Sequence, residues 1–252
     1  MLILAVEKLF YMAVGEKIPN YITLGNLFSG TVAAIFAVEG DFKTAGIFVL
    51  VGIIFDFFDG FVARLLNVSG ELGKQLDSLA DMVTSGVVPG IIMFKLIQNN
   101  LIADNLFEEK TAQILDVQLI GLILTLAACY RLARFNLDTR QTESFIGLPT
   151  PAMCLFVVSL PLIQMETDIE FVKDLISNNY FLIALTWFLS FLMNVEMHLF
   201  SLKFKDYSFK NNYVKYAFLL ASVLLMFTLN FLAVPLIIIL YIILSVVKKR
   251  FL

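Results

Sequence analysis

Charge is scarce in this sequence. Asp, Glu, Lys and Arg make up 15% of its 252 residues, where a soluble domain carries about a quarter. Cysteine is nearly absent. Cys129 and Cys154 both stand inside apolar runs, which excludes a disulfide framework and a cysteine-based zinc site. An excess of basic residues is missing too: the net charge is −3 and the pI is near 5.2. Nothing here builds a positive face, so no nucleic-acid partner is expected. What the chain has instead is apolar surface, with 60% hydrophobic residues, 25 of them Phe, and a mean hydropathy of +0.87. One soluble core cannot enclose that much, and a disordered chain does not carry it. The composition is that of a protein crossing a membrane several times.

Apolar runs of about 17–25 residues, the length that crosses the hydrocarbon core, fall near 22–38, 44–66, 76–98, 117–137, 149–165, 179–197, 214–230 and 232–247. The expected fold is therefore all-α: a polytopic helical bundle of about eight transmembrane helices. The last two runs are continuous, roughly 50 Å as a single helix at about 1.5 Å per residue. That exceeds one crossing, and Asn230 and Pro235 mark the break of a tight hairpin. Residues 1–14 contain Glu7 and Lys8 and no small-residue cleavage site. Residues 2–14 read as a short amphipathic interfacial helix rather than a cleaved leader. With eight spans, fourteen of the eighteen Lys and Arg fall on one side, Arg64, Lys74, Arg131 and Arg134 among them. The opposite side holds Lys43, Lys95, Lys110 and Lys173 amid acidic loops. The basic side, with both termini, is expected to be cytoplasmic.

Carboxylates inside spans are costly, about 2.5–3.5 kcal/mol each on insertion scales. Asp56, Asp59, Asp77 and Asp81 stand within or beside two consecutive spans. Helical spacing puts Asp56 and Asp59 on one face, and Asp77 and Asp81 on one face of the next helix. A short connection containing Ser69 and Gly70 makes the pair an antiparallel hairpin, with the two sets at matching depth. Converging carboxylates in a low dielectric repel unless protonated or neutralised by cations. Oxygen ligands without His or Cys favour Mg²⁺, Mn²⁺ or Ca²⁺ over zinc. Four of them suffice for a two-metal phosphoryl-transfer centre. Gly60, Ala63 and Gly73 leave room for a ligand or a neighbouring helix, and Arg64 suits a phosphate or a carboxylate. Spacing alone leaves a cation or proton relay of a transporter open as well.

The run Asp56-Phe57-Phe58-Asp59-Gly60-Phe61-Val62-Ala63-Arg64, continued by Gly73, Asp77 and Asp81, resembles at every position the signature of the CDP-alcohol phosphatidyltransferases. With Gly60, Ala63, Arg64 and Gly73 in register, the transporter reading recedes. The resemblance implies two divalent cations, Mg²⁺ or Mn²⁺ with Ca²⁺ as a further candidate, held by Asp56, Asp59, Asp77 and Asp81. It implies Asp81 as the base that activates the acceptor hydroxyl. It also implies CDP-diacylglycerol as the donor, met by Asn26, Gly60, Ala63, Arg64 and Gly73.

Three further stretches resemble one branch of that family, the integral-membrane phosphatidylserine synthases: 18–26 (IPNYITLGN), 131–136 (RLARFN) and 147–151 (GLPTP). This branch implies L-serine as acceptor and a homodimer. The residues are compatible. Arg131 and Arg134 share a helix face and suit the serine carboxylate, while Asn136 and the turn at Gly147, Pro149 and Thr150 could serve its ammonium. A glycerol phosphate or inositol phosphate acceptor would want arginines equally, both arginines also suit membrane anchoring, and 147–151 also reads as a plain loop-to-helix junction. His198 reads as structural. The cluster of Lys203, Lys205, Lys210 and Lys215 reads as a contact for anionic lipids. One domain over 1–252 is expected, with an interfacial segment (1–21), catalytic helices (22–165) and C-terminal helices (179–247), its active site facing the cytoplasm.

Overall fold

The computed structural model describes residues 17–68, 70–103, 117–138, 145–200 and 208–250. The expected interfacial helix, Lys203 and Lys205 lie outside the described residues. Helix α1 (Lys17–Glu39) is followed by α2 (Phe42–Leu65). Between them Gly40 turns the chain at φ +85°, a conformation glycine adopts without strain. Asp41 then caps α2, accepting from the Thr44 N–H at 3.1 Å. Hydrogen bonds from Thr44 hold this exposed carboxyl below the ordinary carboxylate range. At its far end α2 closes with Asn67 left-handed at φ 52°. The Val68 N–H reaches the Ala63 carbonyl at 3.0 Å and the Asn67 N–H reaches that of Arg64 at 3.2 Å. These are the paired bonds of a Schellman turn, with Asn in the place glycine usually takes.

Helix α3 (Glu71–Asp81) passes through a π turn (Met82–Val87) into α4 (Val88–Ala103). Pro89 explains the wide turn: it has no N–H to give the Ser85 carbonyl, and its ring would strike that carbonyl in a regular helix. The chain responds with the Val88 N–H bonded five residues back, to Val83. The Thr84 carbonyl, whose five-residue partner would be Pro89, accepts instead from the Cys154 thiol at 3.4 Å. The Gly86 carbonyl accepts from the Thr125 hydroxyl at 3.0 Å. A 3₁₀ turn (Leu119–Leu122) opens α5 (Ile123–Leu137). After it come α6 (Thr150–Glu166), α7 (Glu170–Ser177), α8 (Asn179–Asn194), α9 (Phe209–Leu229) and α10 (Ala233–Arg250).

Contacts between connections sort into two ends. At one end Lys43 pairs with Glu166 at 3.4 Å, and the Asn100 amide donates to the Ile176 carbonyl at 3.0 Å. At the other, Lys74 Nζ donates to the Asn136 carbonyl at 2.8 Å and Arg134 pairs with Glu196. There too Phe145–Ile146 pairs antiparallel with His198–Leu199, a two-residue strand contact absent from the all-α expectation. The core between the helices is close-packed from Ala33, Val49, Ile92, Met93, Leu124, Val157 and Leu189. Phe28, Leu126, Trp187 and Phe227 face outward, each more than half exposed, as lipid-facing side chains are.

The expected eight spans are matched in part by length and apolarity. Among the described residues five helical runs are long and apolar enough to cross a membrane: Lys17–Glu39, Phe42–Leu65, Glu71–Ala103, Leu119–Leu137 and Asn212–Val247. A sixth results if α7 and α8, bent by 76°, count as one. Helix α6 falls short, running 17 residues between Pro149 and Thr167. The break in 214–247 lies where Asn230 takes φ 47°. There the chain reverses, and the ring of Phe218 on α9 comes 5.8 Å from that of Tyr241 on α10.

Gly121 shows how tightly α5 sits on α4: a Cβ there would lie 2.5 Å from Phe94 N and 2.9 Å from Phe94 Cα. Backbone cannot yield as a side chain would, so Gly121→Ala should cost about 1–3 kcal/mol of overpacking. A lowered melting temperature of the detergent-solubilised protein checks this, and an unchanged one contradicts the packing.

Candidate active site

The described residues enclose a cavity of about 800 Å³ between the start of α1, the end of α2 and the start of α3. It opens at the end that carries Arg64 and Lys74. Pro19, Asn20 and Thr23 line it from α1, Asp56, Asp59, Gly60, Ala63 and Arg64 from α2, and Gly73, Lys74 and Asp77 from α3. Carboxylate oxygens of Asp56, Asp59 and Asp77 lie within 4.8 Å of one another, and Asp56 and Asp77 are in hydrogen-bond contact. Helix spacing explains the convergence. Asp56 and Asp59 are one turn apart on α2, and the Schellman turn folds α3 back so that Asp77 meets them. Carboxylates this close cannot all stay ionised without positive charge among them. Their oxygen-only donor set fits a hard divalent cation.

Asp81 does not belong to that triad. It lies one turn deeper, accepting from Asn26 Nδ2 at 3.2 Å, with the Arg131 charge near enough to act on it. Asn26 thus touches Asp81 and is not among the cavity's lining residues. Around Gly60 a Cβ would meet only the Arg64 guanidinium, at an ordinary 3.6 Å, so the space above it belongs to the cavity. At Gly73 a Cβ would come within 3.1 Å of Asn20 Oδ1, so that glycine admits the neighbouring helix.

The residues expected to hold serine lie elsewhere. Arg131 is buried, 3.4 Å from Thr150 Oγ1, with its guanidinium 5.9 Å over the Phe135 ring. Among the described residues its Nε has no hydrogen-bond partner. Arg134 is taken by Glu196 and by the Asn194 carbonyl at 3.3 Å. The gap these two arginines line with Met193 and Asn194 has about 10 Å³, room for about one water. Asn136 donates to Ser78 Oγ at 2.8 Å and so ties α5 to α3. Gly147, at φ 75°, lies where a Cβ would be 2.3 Å from the Met193 carbonyl. Pro149 and Thr150 open α6 beside it. None of these six is among the residues lining the large cavity.

Pro19, Asn20, Thr23 and Lys74 are among the cavity side chains that the sequence did not mark as site residues. Thr23 Oγ1 donates to Asp59 Oδ2 at 2.5 Å, and Lys74 lines the cavity one turn before Asp77. The signal for Thr23 was present: Pro19, Thr23, Asn26 and Gly30 form a polar and small stripe at helical spacing on an apolar span.

Residues 16–192 match the CDP-alcohol phosphatidyltransferase family, and the chain belongs to that family. Among its relatives, the CDP-diacylglycerol–serine O-phosphatidyltransferase of Bacillus subtilis is 34% identical over 148 residues, 56% of this chain and 75% of that protein. Proteins of the same name from Saccharomyces cerevisiae (33% over 170 residues, 61% and 56% covered) and Helicobacter pylori (32% over 142 residues, 56% and 55%) are also similar. The chain spans three quarters of the first relative and little more than half of the other two.

Thr23→Val keeps the volume and removes the donor to Asp59. Loss of such a supporting bond weakens a bound metal by about 10–100-fold. The Mn²⁺ concentration that half-saturates the rise in melting temperature should increase accordingly, and an unchanged midpoint would show that Thr23 does not support the triad.

Proposed function

We propose that this chain transfers the phosphatidyl group of CDP-diacylglycerol to the hydroxyl of L-serine, giving phosphatidylserine and CMP. The observation that carries the reading is the meeting of Asp56, Asp59 and Asp77 from two helices in a cavity that also holds Arg64. Three relatives named for the serine reaction support the choice of acceptor.

The donor would enter with its diphosphate against the carboxylate triad and its acyl chains in the bilayer. Asp56, Asp59 and Asp77 would hold two divalent ions, Mg²⁺ or Mn²⁺, which when bound offset the charge of the diphosphate and of departing CMP. Arg64 binds phosphate oxygen from the cavity mouth, and Gly60 and Ala63 keep the floor clear. Asp81, held by Asn26, takes the proton of the serine hydroxyl. The serine oxygen then attacks the lipid-side phosphorus, the bond to the bridging oxygen breaks, and CMP leaves with that oxygen. Arg131 presents its charge to Asp81 from α5, so a serine whose hydroxyl meets Asp81 brings its carboxylate towards the guanidinium. Arg134, engaged by Glu196, holds the end of α8 in place.

The same reading takes all eight helical crossings as membrane-spanning, counting α6, α8 and the two arms of the α9–α10 hairpin, within one domain. It places the cavity on the cytoplasmic side, where the Lys and Arg gather, with anionic lipids about the basic loops and a second copy of the chain as partner.

The test is transfer by the purified protein in vesicles containing CDP-diacylglycerol, offered serine, glycerol phosphate or inositol phosphate separately. Phosphatidylserine and CMP should appear in equal amounts with serine, whereas product from another acceptor alone overturns the assignment. Arg131→Lys keeps the charge and loses the planar fork. It should raise the KM for serine roughly ten- to a hundredfold and leave that for CDP-diacylglycerol little changed. An unaltered serine KM would remove Arg131 from the acceptor site.

A further inference from the structure

Beneath the cavity, three polar side chains from two helices form a chain. Asn26 and Thr84 are both fully buried. Asn26 Nδ2 donates to Asp81 Oδ1 at 3.2 Å, and Asn26 Oδ1 accepts from Thr84 Oγ1 at 2.7 Å. An amide side chain has two unlike ends. With its oxygen held by a hydroxyl, Asn26 must turn N–H towards Asp81. Without that hydroxyl the amide oxygen loses its donor, and only the bond to Asp81 holds the side chain in place.

The surrounding fold is shaped around this pair. Thr84 stands in the π turn that Pro89 imposes, and the Cys154 thiol holds its carbonyl. Glycines on both flanking helices leave it room. A Cβ at Gly30 would lie 2.2 Å from Thr84 Oγ1, and one at Gly52 would lie 2.8 Å from Thr84 Cγ2 and 2.9 Å from Asn26 Oδ1. The Asn26 backbone carbonyl, at 3.2 Å, is the hydroxyl's more distant acceptor.

We propose that Thr84 is a positioning residue for the acceptor base: acting through Asn26, it fixes the orientation of the Asp81 carboxyl that receives the serine proton. The inference deepens the transfer reading above and rests on it. Thr84 does not line the cavity, so its effect belongs to the chemical step rather than to donor binding.

Kinetics of Thr84→Val and Thr84→Ser in vesicles with CDP-diacylglycerol and serine test this. Val keeps the branched shape without a donor, so kcat should fall roughly ten- to a hundredfold, with the KM for CDP-diacylglycerol within about twofold of wild type. Ser restores the hydroxyl and should recover most of the lost kcat. If Thr84→Val does not assemble, Thr84→Ala against Thr84→Ser makes the same comparison. Wild-type kcat in the Val or Ala variant overturns the proposal, as does a Ser variant no faster than Val, or a loss carried by the donor KM. A wild-type protein that makes no phosphatidylserine would instead sink the transfer reading, so the two failures are distinguishable.

Discussion

Three carboxylates from two helices, pressed together in a setting of low dielectric, are the constraint on which the rest of this structure depends. Like charges at such separations repel strongly, and a membrane interior offers little water to screen them. Helices α2 and α3 must therefore be held against that repulsion, and their junction is built for it. Asn67 closes α2 in a left-handed turn, Val68 buries against the structure, and Gly73 admits Asn20 from α1. Thr23 donates to Asp59 from the same face of α1. The outcome is a preorganised acidic pocket facing a cavity with Arg64 and Lys74 at its mouth, the charge pattern that a diphosphate with accompanying cations requires.

The second organising feature is the π turn after Asp81. Proline in a helix interior costs about 3 kcal/mol or more when its consequences are left uncompensated. Here the widened turn exposes carbonyls that side chains of neighbouring helices satisfy, Cys154 from α6 and Thr125 from α5. Leaving a buried carbonyl unpaired costs about 1–3 kcal/mol, so these bonds join three helices one turn beyond Asp81. The same turn sets Thr84 against Asn26. A local irregularity thus links the packing of the bundle to the chemistry at its end.

The acidic pocket was legible in the sequence because its members are close along the chain. A spacing of three on one helix and a short connection to the next place Asp56, Asp59 and Asp77 together with no knowledge of the rest of the fold. The hairpin at Asn230 was legible for a similar reason: an apolar run too long for one crossing contains a residue that tolerates a left-handed conformation. The fate of Arg131 and Arg134 was not legible. Their partners, Thr150, Glu196 and the Asn194 carbonyl, come from segments far along the chain, and periodicity carries no information about them. The pairing of Phe145–Ile146 with His198–Leu199 and the bend at Asn178 are likewise products of tertiary contact. Pro89 was visible, yet within an apolar span it reads as one more buried residue. Its effect on Thr84 emerges only when the neighbouring helices are in place.

The central claim is that the carboxylate triad exists to hold divalent cations. Its most direct test is Mn²⁺ binding, followed by electron paramagnetic resonance, to the chelator-stripped protein in lipid nanodiscs. The wild type should be compared with the Asp56→Asn/Asp77→Asn double variant, and CMP release measured on the same samples. The account predicts tight binding of at most about two ions per chain by the wild type, none at that affinity by the variant, and CMP release only after Mn²⁺ or Mg²⁺ is returned. Full CMP release in excess chelator, or equal Mn²⁺ binding by the double variant, would contradict it.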